Sequence, residues 1–162
     1  MVMAVRNIVT EGDEVLRKRS KEVTEINDKI LDLIADMKET LYKTGNGIGL
    51  AAPQVGILKR IIVIDLGDGS GPMEIINPVI LEQEGEQVEV EGCLSVPGVF
   101  GEVKRPARMV VEYTRPDGEK AKVEAADLLA RCLSHEIDHL DGILFTDKVI
   151  RYVDLEEGQK KE

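Results

Sequence analysis

The sequence predicts an α+β domain: short, mostly antiparallel strands packed around a central metal-binding helix, with a second helix nearer the N-terminus. Three observations carry this reading. Two segments, one from Thr24 and one from about Ala125, repeat apolar residues at the three-and-four spacing of an amphipathic helix. Between them lie short runs rich in Ile and Val, bounded by Gly and Pro. The links between those runs are too short for parallel crossovers, which leaves antiparallel pairing. With 162 residues, 43% of them hydrophobic, the chain suits one domain with its own core, taken as 1–162 with a charged tail at 154–162 that frays.

Taken in order, residues 1–23 mix charges with scattered anchors such as Val5, Ile8, Val15 and Leu16 and read as an arm laid over the core. Ile26, Ile30, Leu33, Ile34, Met37 and Leu41 then define the first helix, which Gly45-Asn46-Gly47 ends. Gly47–Gly56 is uncharged and glycine-rich, an irregular loop or edge segment leading to a buried strand at Arg60–Leu66. Further strands are expected at Met73–Leu81, Gln87–Glu91, Arg108–Thr114 and Lys120–Glu124, with Pro116-Asp117-Gly118 turning the last pair into a hairpin. Leu128, Leu129, Cys132, Leu133 and Leu140 place the second helix from Ala125 to Asp141, with Gly142 as its C-cap.

Composition excludes several classes of function. A net charge of −10 repels phosphate backbones and anionic lipid surfaces, so no direct sequence-specific nucleic-acid binding and no membrane partner is expected. No stretch approaches the run of about 18 apolar residues that a spanning helix needs, and Met1–Leu16 carries acidic residues where a signal peptide is apolar. A cytoplasmic protein is expected. Cys93 and Cys132 allow at most one disulfide, so there is no disulfide framework.

His135 and His139 are the only histidines, and they stand four apart in the second helix, on one face, where both can bind the same cation. Glu136 flanks that position. An open catalytic site needs a third protein ligand. The position six beyond His139, used by one class of metalloprotease, is Phe145, and the chain after His139 is too short and polar to supply a glutamate from another helix. Cys132 shares the face, but a metal held by residues 135 and 139 sits level with residue 137, about 7.5 Å away along the axis. Cys93, in the turn-like Glu91-Gly92-Cys93-Leu94-Ser95-Val96-Pro97-Gly98, remains as the third ligand. Two imidazoles and a thiolate leave a fourth position where water can be activated for attack on a carbonyl.

Gly47-Ile48-Gly49-Leu50-Ala51-Ala52-Pro53-Gln54-Val55-Gly56, Glu91-Gly92-Cys93-Leu94-Ser95 and His135-Glu136-Ile137-Asp138-His139-Leu140-Asp141-Gly142 together resemble the three motifs of the peptide deformylases, in order and content. These enzymes remove the formyl group from the N-terminal formylmethionine of new polypeptides. The resemblance implies that Cys93, His135 and His139 hold one divalent metal ion, with Fe²⁺ the working ion and Zn²⁺, Ni²⁺ or Co²⁺ able to take its place. It implies that Glu136 is the general acid/base and that Gln54 and the backbone N–H of Leu94 are oxyanion donors. It places the substrate as an extended strand along Gly49, with Ile48, Leu128 and Cys132 lining the methionine pocket. Arg131 and Glu89, where some relatives are apolar, imply a more polar rim. The implied partners are formylated nascent peptides and, transiently, the ribosome, although the acidic tail lacks the basic helix by which some relatives dock there.

Two alternatives use the same residues. A small zinc peptidase with the His-Glu-x-x-His helix would cleave internal peptide bonds instead. A metal-stabilised binding module would need a closed four-ligand site, and only three good ligands are visible.

Overall fold

The spacing of Ile30, Leu33, Ile34, Met37 and Leu41 becomes helix α1, Asp28–Thr44, in the computed structural model of the protein, which describes residues 4–154. The helix starts four residues later than Thr24 because the Asn27 side chain accepts the Ile30 N–H at 3.0 Å and caps it there. Before that cap the chain is extended, and Val23 exchanges hydrogen bonds with the Asn77 side chain. Gly45, at φ 78, ends the helix in the left-handed conformation that glycine adopts without strain.

Eight strands follow: β1 Gly49–Ala51, β2 Ile61–Ile64, β3 Met73–Glu84, β4 Gln87–Cys93, β5 Val96–Arg105, β6 Arg108–Thr114, β7 Lys120–Ala126 and β8 Val149–Tyr152. Helix α2, Asp127–Leu140, lies between β7 and β8 in the chain. A five-stranded sheet runs β1-β2-β3-β6-β7 and a three-stranded sheet runs β4-β5-β8, every pair antiparallel. The expected architecture is therefore present. Strand β1 is the edge segment anticipated in Gly47–Gly56, and a 3₁₀ turn over Ala52–Val55 follows it. The Pro116–Gly118 hairpin joins β6 to β7, closed by the Gly118 N–H on the Arg115 carbonyl at 2.8 Å.

Strands β5 and β8 were not anticipated, β3 runs on to Glu84, and β7 occupies Ala125 and Ala126, so α2 starts at Asp127. Pro97 and Gly98 disguise β5. The missing Pro97 N–H costs no ladder bond to β8, which pairs only with Gly101–Val103. The helix α2 cap is Asp141, with Gly142 just beyond it at φ 78. A Cβ on Gly142 would lie 2.6 Å from the Arg17 carbonyl oxygen, so the glycine also admits the N-terminal arm. The tail expected to fray from residue 154 lies, apart from Asp154, outside the described residues.

Helix α2 sits between the sheets, against β1, β2, β6 and β7 on one side and β5 on the other. Its apolar residues Ala130, Cys132, Leu133, Ile137 and Leu140 join Ile62, Ile64, Ile75, Met109 and Val111 in one core cluster. Helix α1 packs a second cluster against Ile61, Val63 and Ile76 on the opposite face of the same sheet. Each fully buried Ile, Leu or Met contributes about 1.5–3 kcal/mol, so the first cluster fixes α2 and the second α1 relative to the sheet. Among the described residues, no helix is long and apolar enough to cross a membrane.

Candidate metal centre and its cleft

Strand β4 delivers Cys93 at its end, where a register shift between Glu91 and Cys93 breaks the regular ladder with β5. Gly92 makes that path possible, since a Cβ there would lie 2.7 Å from the Phe100 ring. From the other side α2 presents His135 and His139 one turn apart. The ligating atoms of Cys93, His135 and His139 all fall within 4.8 Å of one another. Cys93 Sγ is 3.3 Å from His139 Nε2, close to the edge of about 3.5 Å that tetrahedral zinc-type bond lengths imply.

The protonation chemistry fits a cation. His139 is held well below the usual imidazole range by burial, with His135 and Arg105 adding to it, and so stays in the neutral form that ligates. Its Nδ1 is buried with no hydrogen-bond partner among the described residues. Burial opposes charging of His135 too, but hydrogen bonds to Cys93 and Glu91 and the charge of Glu136 outweigh it and draw its pKa up to about 10. The donor set is thus one that attracts positive charge. Cys132 differs, because burial and the neighbouring Glu136 push its thiol well above the usual range, and a neutral thiol suits packing rather than ligation.

Behind His135 stands a charged network that the sequence did not disclose. Glu91 accepts the His135 Nδ1–H at 3.0 Å, which turns Nε2 toward the other donors. Arg105 clamps Glu91 with two bonds of 2.9 Å and reaches Asp138 on α2 at 2.7 Å. Arg131 also bonds Glu91, and its second amine group lies 3.5 Å from Gln87 Oε1. Burial alone would raise the Glu91 pKa, but the hydrogen bonds with His135 and Arg105 and their charges overcome it and hold it at about 2. Glu91, His135 and Asp138 belong to recognisable motifs, but Gln87 and Arg105 do not. Arg105 gave no signal beyond being one cation in the charged stretch Glu102–Arg108, because its partners lie on another strand and on the helix.

A cleft of about 520 Å³ opens onto this centre. Cys93, His135 and Glu136 line it, as do Gln54 and Leu94. Ile48, Gly49, Leu128, Arg131 and Cys132 complete the predicted set on its walls, whereas His139 lies behind them, 1% exposed. Glu89 is exposed on β4 and does not line the cleft, whose β4 wall begins at Val90. The more polar rim expected from it is therefore absent at that position, and Arg131 spends much of its guanidinium on Glu91.

Glu136 is 4% exposed, and its Oε1 has no hydrogen-bond partner among the described residues. Burial raises its pKa to about 7, against the charges of His135 and Arg105. Gly49 makes room for it: a Cβ there would sit 2.7 Å from Glu136 Oε2 and 2.9 Å from Cys132 Sγ. Gln54 is fully packed, and its Oε1 accepts the Ala51 N–H at 2.9 Å. That bond orients the amide so that Nε2 donates toward Ser95 Oγ at 3.1 Å and faces Cys93 Sγ at 3.7 Å.

An α+β fold that gathers three donors able to hold a metal ion beside a cleft with a buried carboxylate points to the class of metal-dependent hydrolases. Residues 5–154 match the family model described as polypeptide deformylase. A peptide deformylase of Acetivibrio thermocellus is 63% identical over 159 residues, 98% of this chain and 92% of that protein. The crystal structure of the Thermotoga maritima peptide deformylase superposes with a TM-score of 0.86 at 44% identity, covering 90% of this chain and 97% of that one. A peptide deformylase from Synechococcus elongatus, solved in complex with actinonin, gives 0.83 at 45% identity over 88% of this chain and 78% of that one. The chain belongs to the polypeptide deformylase family.

Proposed function

We propose that this chain hydrolyses the N-formyl group of formylmethionyl nascent peptides, releasing formate, with Cys93, His135 and His139 holding one divalent ion. The family resemblance favours Fe²⁺, and the mixed thiolate and imidazole donors also suit Zn²⁺, Co²⁺ or Ni²⁺. When bound, the ion supplies Lewis acidity that lowers the pKa of a water enough for attack at neutral pH.

Glu136 takes the proton released by the attacking water and returns it to the departing amine, one carboxylate serving both halves of the reaction. Its unpartnered oxygen beside the three donors is the observation that carries the reading. The Gln54 amide, fixed by Ala51, and the Leu94 N–H stabilise the oxyanion without adding charge. Edge strand β1, paired only with β2, leaves its other side free for an extended peptide along Gly49. Ile48, Leu128 and Cys132 then form the walls for the methionine side chain, with Arg131 at the rim.

The same reading makes 1–162 one domain that acts in the cytoplasm and meets its substrates at the ribosome only transiently. Membership of the deformylase family removes the support for an internal peptidase. The test is incubation of the anaerobically purified, metal-analysed chain with formyl-Met-Ala and with unblocked Met-Ala-Ser. Formate release with every peptide bond intact is expected, and cleavage of the unblocked peptide would overturn the reading.

A further inference from the structure

The two proposed oxyanion donors belong to different sheets. Gln54 lies in the turn that follows β1, at the edge of the five-stranded sheet, and Leu94 lies in the turn joining β4 to β5 of the three-stranded one. No strand ladder therefore sets the distance between them. The N-terminal arm bonds Gln54 and Ser95, the residue after Leu94. The Val9 N–H donates to the Gln54 carbonyl at 2.8 Å, and two residues on the Glu11 N–H donates to the Ser95 carbonyl at 2.7 Å.

Side chains repeat the pattern. Ile8 packs in the α1 cluster together with Leu94, while Val9 packs with Cys93 and Val99 in the cluster around Leu16, Val96 and Phe145. The arm's outer end is anchored on α1: the Ala4 N–H and the Arg6 guanidinium bond Asp36 at 2.8 and 2.9 Å, and the Arg6 N–H bonds Thr40 Oγ1 at 2.8 Å. Its inner end closes in a turn, with the Asp13 N–H on the Thr10 carbonyl at 3.1 Å and Gly12 at φ 108.

We infer that residues 4–11 are a brace that sets the span between the Gln54 and Leu94 donors, with Val9 and Glu11 as positioning residues acting through their backbone N–H groups. This rests on the oxyanion roles proposed above. Two donors on separately folded sheets stabilise one developing charge only while their separation is fixed, and misplacement by about 1 Å costs on the order of 100-fold in rate. Bonds at Val9 and Glu11, two residues apart on one extended segment, hold that separation.

Glu11→Pro tests the brace, because Gly12 in the third position makes this a type II turn, which favours proline in the second, so the change removes the N–H and leaves the turn unstrained. On the metal-loaded chain with formyl-Met-Ala, kcat is expected to fall about 10-fold with KM and metal content unchanged, and Glu11→Ala, which restores the N–H, to recover the parent rate. In a Gln54→Ala background the Glu11→Pro loss is expected to shrink below about 2-fold, since one donor has no span to keep. A parent-like kcat in Glu11→Pro, or an undiminished loss without Gln54, would refute the brace while leaving the oxyanion roles standing. A Gln54→Ala chain at the parent rate would refute those roles and the brace with them. If Glu11→Pro does not fold, Ile8→Ala loosens the arm on the core cluster that Leu94 also packs against, with every hydrogen bond kept, and is read by the same outcomes.

Discussion

The two helices are built on opposite plans. Helix α1 is amphipathic and capped by Asn27 and Gly45, with Asp36 and Thr40 covered by the arm, so its own sequence largely specifies it. Helix α2 is buried nearly all round, has no side-chain N-cap, and encloses Arg131, Ser134, Glu136 and His139 along with its apolar residues. Neighbours satisfy Ser134 and Arg131, through Arg105 and Glu91, and hold Asp138 and His135 beside them, whereas Glu136 Oε1 and His139 Nδ1 have no partner among the described residues. The contrast teaches that α1 holds the fold while α2 carries the chemistry, and that what α2 needs is supplied by β4 and β5.

Changes to α2 and its supports should therefore damage function or the network, and changes to α1 away from Asp36 and Thr40, which anchor the arm, only stability. The largest effect is expected from Glu136→Gln, which keeps size but loses the proton carrier: formate release should fall by about 10²–10⁴-fold with metal near one per chain, read by paired activity and metal analysis. Turnover near the parent rate would erase the distinction between the helices. Next comes Arg105→Leu, which removes the two-bond clamp on buried Glu91 and its link to Asp138, leaving Arg131 and His135 on the one and Lys148 on the other. Breaking such a network costs about 3–5 kcal/mol, visible as a lowered urea midpoint, and an unchanged midpoint would mean that β5 does not support α2. The smallest is Asn27→Ala at the α1 cap, about 1 kcal/mol of stability with kcat unaltered. A fall in kcat there would show that α1 is not a purely structural element.

The chemistry-bearing residues were legible because their spacing is local. His135 and His139 are one helical turn apart, so any helix through them yields a bidentate pair, and Cys93 followed from the need for a third donor. Gln54 became meaningful only through the family motif, because a glutamine in a turn has no period or charge that marks it. Strand β5 was missed since Pro97 and Gly98 oppose strand propensity, and pairing with β4 overrode it. The start of α1 was set too early because Thr24 is as plausible an N-cap as Asn27 until Val23 is seen tied to Asn77.

The sequence by itself determined the two helices, most of the strands, the histidine pair one turn apart and the acid beside it, all of which depend on contacts within a few residues. Tertiary structure alone decided which cations face Glu91, why Gly49 must lack a side chain, and how the arm spans two sheets. Those contacts join residues far apart in the chain, and no local periodicity records them, because their energy comes from desolvated charge and close packing that exist only once the sheets enclose α2.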